Sequence, residues 1–102
     1  MKRRRLVVSH RALSDLLVDH NYINQFNPTA AKRLLKDINS KMISLAHSGM
    51  TGVPRDYVKG LRAFPYRDRC IYFLVNDEVL HVLRVLHGHQ DISPEDFKQE
   101  ED

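Results

Sequence analysis

The chain has 102 residues, the length of one domain, and its 42% hydrophobic and 28% charged content is that of a water-soluble globular protein. Its one cysteine, Cys70, excludes an intrachain disulfide framework, and no apolar run approaches the roughly 20 residues needed to span a bilayer. The net charge of +3 conceals an asymmetry: residues 1–90 carry 15 Lys/Arg against 7 Asp/Glu (+8), whereas residues 91–102 carry 1 against 6 (−5).

A basic body attracts polyanions or acidic protein surfaces, and an acidic tail masks part of that body. The basic start, Met1-Lys-Arg-Arg-Arg-Leu, is followed by no long apolar region or small-residue cleavage site. It does not read as a signal peptide, so a cytoplasmic location is expected. Lys2-Arg3-Arg4-Arg5 reads as a frayed, solvated terminus in preference to a nucleic-acid contact.

Leu6-Val7-Val8 predicts a short first strand within Arg4–Ser9. Ser9 is a suitable N-cap for a first helix, in which Leu13, Leu16, Leu17, Ile23 and Phe26 fall near one face. Asp19 and His20 interrupt that face, with His20 read as a half-buried structural histidine. Asn27-Pro28 stops this helix and starts another, because Asn caps well and Pro at the first helical position loses no backbone donor. The second helix is predicted from Pro28 to about His47. It has an apolar stripe of Ala31, Leu34, Leu35, Ile38, Met42 and Leu45 and an outer face of Lys32, Arg33, Lys36 and Lys41. Gly49 ends it in the left-handed cap conformation.

Residues 49–54 read as a loop by composition. Beyond them the period changes from helix to strand. Tyr57–Phe64 alternates between apolar and basic residues, Pro65-Tyr66-Arg67-Asp68 is a turn, and Arg69–Val75 is apolar on both faces, as a central strand would be. Asn76-Asp77 is a tight turn into a last strand, Val79–Leu86. Strict alternation there puts Leu80, Val82, Arg84 and Leu86 on one face and Val79, His81, Leu83, Val85 and His87 on the other. The order β-α-α-β-β-β predicts an α+β domain, a helical hairpin packed on one face of a small antiparallel-rich sheet. Two helices cover only one face, so Arg62, Arg69 and Arg84 are expected to be exposed together on the other.

In this order the residues become a pattern: Ala12-x-x-Asp15-Leu16, Tyr22-Ile23 and Asn27-Pro28-x-Ala30-Ala31 in the hairpin, then Gly60-Leu61-Arg62-x-Phe64-Pro65, Ile71-Tyr72-Phe73, and Arg84-Val85-Leu86-His87-Gly88-x-x-Asp91-Ile92. The chain resembles the RelE/ParE superfamily of bacterial type II toxins, and the last pattern resembles its ParE branch. Three places depart from the family. Asp19 stands where an apolar helix residue is usual, His89-Gln90 replaces a small residue and an arginine, and Arg67-Asp68-Arg69 replaces a glycine-containing turn.

The resemblance implies one toxin domain over residues 1–92, with an acidic C-terminal tail over residues 93–102. It implies a growth-inhibiting toxin of a plasmid-stabilisation type, neutralised by a cognate antitoxin (ParD/RelB-like) that alone brings the complex to DNA. ParE-type toxins act on DNA gyrase, whereas RelE-type toxins cut messenger RNA on the ribosome. A shared fold does not decide between them.

Cleavage of RNA needs clustered cations on the scissile phosphate and a titrating group within hydrogen-bond reach. The candidates are Arg62, Arg69 and Arg84 for charge and His87 for proton transfer. Residues 85–97 hold no Lys or Arg, and no tyrosine follows Tyr72. The reading therefore leans toward gyrase inhibition by binding and away from an enzyme. The residues expected to contact target or antitoxin are Lys59, Arg62, Arg67, Arg69, Arg84 and His87. His87 serves either as a base or as a cap on the strand end. Arg84 either pairs with a carboxylate such as Asp91 or touches a target. His81 and His87 lie about 20 Å apart along a strand, too far to share an ion, so neither metal nor cofactor is expected. Cys70, in a central strand, is expected to stay protonated and inert.

Overall fold

The computed structural model describes residues 3–49, 51–88 and 91–99. The elements run β1 (Arg5–Val8), α1 (His10–Asn24), α2 (Pro28–Ser48), β2 (Val53–Pro54), β3 (Arg62–Tyr66), β4 (Arg69–Val75), β5 (Val79–His87) and a 3-10 helix (Pro94–Phe97). The five strands form one sheet in the order β1-β5-β4-β3-β2. β1 is parallel to β5 and the other neighbours are antiparallel. The α+β hairpin-on-sheet architecture is thus as expected, with a short additional strand, β2, in the segment read as loop.

Local chemistry starts and stops the helices where the residue types require. The Ser9 hydroxyl accepts from the Ala12 N–H, and the Asn27 side chain accepts from the Ala30 N–H. Gly49 closes α2 at φ 73°, a left-handed conformation open to glycine. The α2 stripe is buried as its spacing predicts, with Leu35 half-buried.

In α1 the expected face is wrong in part. Ala12 and Leu16 are buried and Ile23 is half-buried, but Leu13, Leu17 and Phe26 stand 47%, 56% and 73% exposed. The helix is rotated so that Asp15 and Asp19 turn toward the end of β5. The cause is pairing with two arginines, an energy that apolar periodicity does not register.

The expected strand Tyr57–Phe64 also shifts. Gly60 at φ 79° and the Leu61 N–H to Val58 carbonyl bond make residues 57–60 a turn, and the strand begins at Arg62. It runs on through Pro65, which the sequence assigned to the turn. β2 reaches only as far as Ala63, so Pro65 lies on an unpaired edge, where its missing N–H is tolerated. Arg67, at φ 59°, and Asp68 make the turn itself.

A bulge breaks the alternation expected in β5. Tyr72 pairs with Arg84 but Phe73 pairs with Val82, so Leu83 is an extra residue on β5. Leu80, Val82 and Val85 join the helix-side core with Ile38, Met42, Ile71 and Phe73, whereas Leu83 and Leu86 join the opposite face. The Ser9 hydroxyl donates to the Leu83 carbonyl at 2.7 Å, satisfying the acceptor at the bulge.

That opposite face is not open. Leu61, Ala63, Cys70, Tyr72, Leu83 and Leu86 form a second core, covered by half-buried Tyr57 and Val58 and by Phe97. Arg62, Arg69 and Arg84 are consequently not exposed together. Arg4 and Arg5 of the basic start are also anchored, contrary to the frayed terminus expected, whereas Lys2 lies outside the described residues. The Arg4 N–H donates to Ala46 and its guanidinium to the Asn76 carbonyl at 2.7 Å.

Candidate functional site

The sequence places Asp15 and Asp19 four residues apart, one turn of α1, so both carboxylates lie on one side of that helix. The bulge in β5 aims Arg84 at the first of them. Arg84 donates through Nε and Nη2 to the two Asp15 oxygens at 2.8 and 2.7 Å, and the Val85 N–H adds a third bond at 3.0 Å. The remaining guanidinium nitrogen, Nη1, donates to the Asp96 carbonyl at 2.9 Å. The side chains are only 12% and 14% exposed. The Asp15 hydrogen bonds hold the Arg84 guanidinium above its ordinary pKa, outweighing desolvation, which acts the other way. The expected partner Asp91 is thus replaced by Asp15, which the fold brings across 69 residues of sequence.

One turn further along α1, Asp19 accepts from Arg69 at 2.8 Å and faces the His87 Nε2 at 3.1 Å. Arg69 also pairs with Asp68 at 2.8 Å. Arg69 and His87 are cross-strand partners in β4 and β5, which sets both beside the same carboxylate. Arg69 is buried, while His87 is 50% exposed. Ser14, Asp15, Val18, Asp19, Arg84, Val85, Leu86 and His87 line a shallow cavity of about 220 Å³.

Three of the six expected contact residues, Arg69, Arg84 and His87, therefore gather at one end of β5. The other three do not join them. Lys59 lies in the exposed turn before β3. Arg62 donates to the Thr51 and Gly52 carbonyls, fastening the loop before β2. Arg67 reaches Asp37 of α2 at 3.3 Å and lies over the Tyr66 ring.

Asp15 and Asp19 are the residues that apolar periodicity passed over. The available signal was their spacing of four, interleaved with Ala12, Leu16 and Ile23. Burial raises the Cys70 thiol pKa, and a hydrogen bond with Tyr72 and the charge of Arg55 only partly offset this. His89 and Gln90 lie outside the described residues. Among the described residues, no group of three or more His, Cys, Asp or Glu is placed to hold a metal ion, and no helix is long and apolar enough to cross a membrane.

A second feature lies on the hairpin. Val8, Leu13, Leu16, Leu17, Leu35, Lys36, Asn39 and Met42 line a groove of about 430 Å³ between α1 and α2. Its walls are mostly apolar, with the exposed Leu13 and Leu17 on its α1 side.

An antiparallel-rich sheet with a helical hairpin on one face, and ion pairs tying the hairpin to the last strand, defines a small α+β domain. It superimposes on a solved structure of the chromosomal ParDE toxin–antitoxin system from P. aeruginosa with a TM-score of 0.73, at 20% identity, covering 83% of this chain and 96% of that one. The family model for the ParE toxin of type II toxin–antitoxin systems matches residues 6–92, and the chain belongs to that family. A comparison with curated proteins found no sequence match.

Proposed function

We propose that this ParE-family toxin inhibits DNA gyrase by binding it, and that a cognate antitoxin neutralises it. The observation that carries the reading is that Arg69 and Arg84, the two arginines placed beside His87 among the described residues, are both used inside the protein. Arg84 is committed to Asp15 and the Asp96 carbonyl, and Arg69 to Asp19 and Asp68. Among the described residues, a scissile phosphate entering this cavity would meet two carboxylates and no uncommitted guanidinium, the reverse of what phosphoryl chemistry requires. His87 and the cavity rim then serve as part of a protein-contact surface, together with exposed Lys59 and Arg67. Purified toxin should block supercoiling by gyrase or trap the cleaved DNA complex. No effect at micromolar excess overturns the gyrase reading.

The antitoxin in this reading presents an amphipathic segment whose apolar side fills the groove of Leu13, Leu17, Leu35 and Met42. Acidic residues on its other side suit Lys32, Arg33 and Lys36 of α2. The complex reaches DNA only through the antitoxin, and the toxin acts in the cytoplasm.

One observation favours a second reading, ribosome-dependent cleavage of messenger RNA. The half-exposed His87 is hydrogen-bonded to Asp19, an arrangement able to orient an imidazole for proton transfer. Primer extension on translated messages distinguishes it, because codon-linked breaks appear only if the toxin is a nuclease. A chain that leaves growth unchanged when expressed without antitoxin is instead a non-toxic member of the family.

A further inference from the structure

Many of the cations on this chain are held by the fold itself. Arg11, Arg62, Arg67, Arg69 and Arg84 each bond a carbonyl or carboxylate of the same chain. Lys32, Arg33 and Lys36 differ. They stand exposed on α2, and among the described residues none of their side chains makes an ion pair or hydrogen bond. Positions 32, 33 and 36 fall within about one helical turn, so the three share one face. With Thr29 and Asp37 they line a shallow cleft that has no apolar side chain in its wall. Asp37 is the only carboxylate in α2, and it is paired with Arg67 at 3.3 Å.

The same face continues past the exposed Ser40 and Ser44 to His47, where the Arg3 guanidinium lies on Nδ1 at 3.1 Å. From Lys36 to His47 the helix rises about 16 Å, close to the span of five phosphates of one duplex strand at about 3.4 Å each. Three cations at one end, hydroxyls between and a fourth cation at the other make a straight basic stripe. A protein partner needs an apolar or aromatic centre to its contact, which the cleft does not offer, whereas a phosphate backbone needs only cations and donors. Nor does α2 carry a Phe, Tyr or Trp. Beside it, Lys41 covers the Phe64 and Tyr66 rings at 5.3 and 5.7 Å, and Arg67 covers Tyr66 at 5.3 Å, so unpaired bases find no open ring there to stack on.

We propose that the outer face of α2 binds the phosphate backbone of duplex DNA, through Lys32, Arg33 and Lys36 with Arg3 at the far end. No base edge is read, so the binding is independent of sequence. It goes beyond inhibition of gyrase and needs no gyrase to be observed. An antitoxin whose acidic side covers Lys32, Arg33 and Lys36 takes this face out of use, so the contact belongs to the free toxin.

The test is fluorescence anisotropy of a labelled duplex of roughly 20 base pairs with the full-length toxin, without gyrase, between about 50 and 200 mM salt. Four neutralised phosphates should give a slope of about −3.6 in log affinity against log salt, roughly a hundredfold loss over that range. Lys32→Gln/Arg33→Gln/Lys36→Gln should bind at least tenfold more weakly and flatten the slope to about −1. Arg5, Arg55 and Lys98 lie toward the opposite face of the sheet, by alternation with Leu6 and by proximity to Cys70, Tyr72 and Phe97. Arg5→Gln/Arg55→Gln/Lys98→Gln removes the same charge and should weaken binding less than threefold.

An equal loss in the two triple variants makes the binding a matter of net charge alone and overturns the proposal, as does absence of binding at the low-salt end. Polyglutamate that displaces the duplex as well as unlabelled DNA does, charge for charge, assigns the face to an acidic protein and is equally fatal. So is tighter binding of a single strand of the same length. Because gyrase is absent from the assay, each of these failures leaves the gyrase reading standing.

Discussion

Arg84 and Asp15 meet through two parallel hydrogen bonds of 2.8 and 2.7 Å, joining the last strand to the first helix across the core. Each is largely buried, so each is costly without the other. The pair also locates the Val85 N–H on Asp15, which fastens the strand just past its bulge.

Asp15→Ala should therefore destabilise the fold by about 3 kcal/mol, because it leaves a buried guanidinium uncompensated. Replacing both residues with apolar ones of similar volume should recover much of that loss. Urea denaturation of the two single variants and the double variant measures the coupling.

Ser9 serves twice, as acceptor for the Ala12 N–H and as donor to the Leu83 carbonyl. Ser9→Ala should cost about 2 kcal/mol, more than an ordinary cap, since it also orphans a buried carbonyl. Ser9→Thr should retain most of the stability. Thermal unfolding followed by circular dichroism ranks the three proteins.

Gly52 lies at φ +62°, and a Cβ there would overlap the Ala63 carbonyl across the β2–β3 pair. Gly52→Ala should lower stability by more than about 1 kcal/mol, through strain and loss of that short strand pairing. Amide exchange at Ala63 should rise selectively.

Leu17 is 56% exposed on the wall of the hairpin groove. Leu17→Glu should leave stability within about 0.5 kcal/mol of native. It should weaken antitoxin binding by at least about tenfold, as removal of an apolar anchor does. Calorimetry with the purified antitoxin reads the affinity. Retained growth inhibition that the antitoxin no longer suppresses is the matching result in cells.

Cys70 and Tyr72 both hold their protons above their ordinary values of 9.0 and 10.0, chiefly because burial penalises the charged forms. For a raised group, the stabilisation is complete below the unfolded value and is lost as pH rises through the folded one. Stability should thus be flat to about pH 9 and fall above it as unfolded chains deprotonate first. Tyr72→Phe should flatten the part of the decline above pH 10. Denaturation midpoints measured from pH 7 to pH 11 decide this.

Much of the fold was legible because its signals are local. Helix α2 has a four-turn stripe, an Asn-Pro start and a glycine stop, each acting within a few residues of itself. The hairpin of β4 and β5 likewise follows from two apolar runs around Asn76-Asp77, where the Asn76 side chain accepts from the Glu78 and Val79 N–H groups. The family pattern ending in Arg84-Val85-Leu86-His87-Gly88 was legible for the same reason, as a string of residue types in fixed order.

The partners of those residues were decided in three dimensions. Asp15 reaches Arg84 across 69 positions, and Asp19 reaches Arg69 across 50. Neither pairing has a periodicity, so α1 was assigned an apolar face in Leu13, Leu17 and Phe26 that in fact points outward. The bulge at Leu83 turned Arg84 from the face that strict alternation implied. The acidic tail, whose charge suggests a mask over the basic body, also places Phe97 in the second core. By itself, the sequence determined the elements and the family, because propensity, capping and motif are properties of neighbours. Only the tertiary structure decided which charges are free, because that depends on what the folded chain brings within 3 Å of each, and most of the arginines by the last strand are already taken.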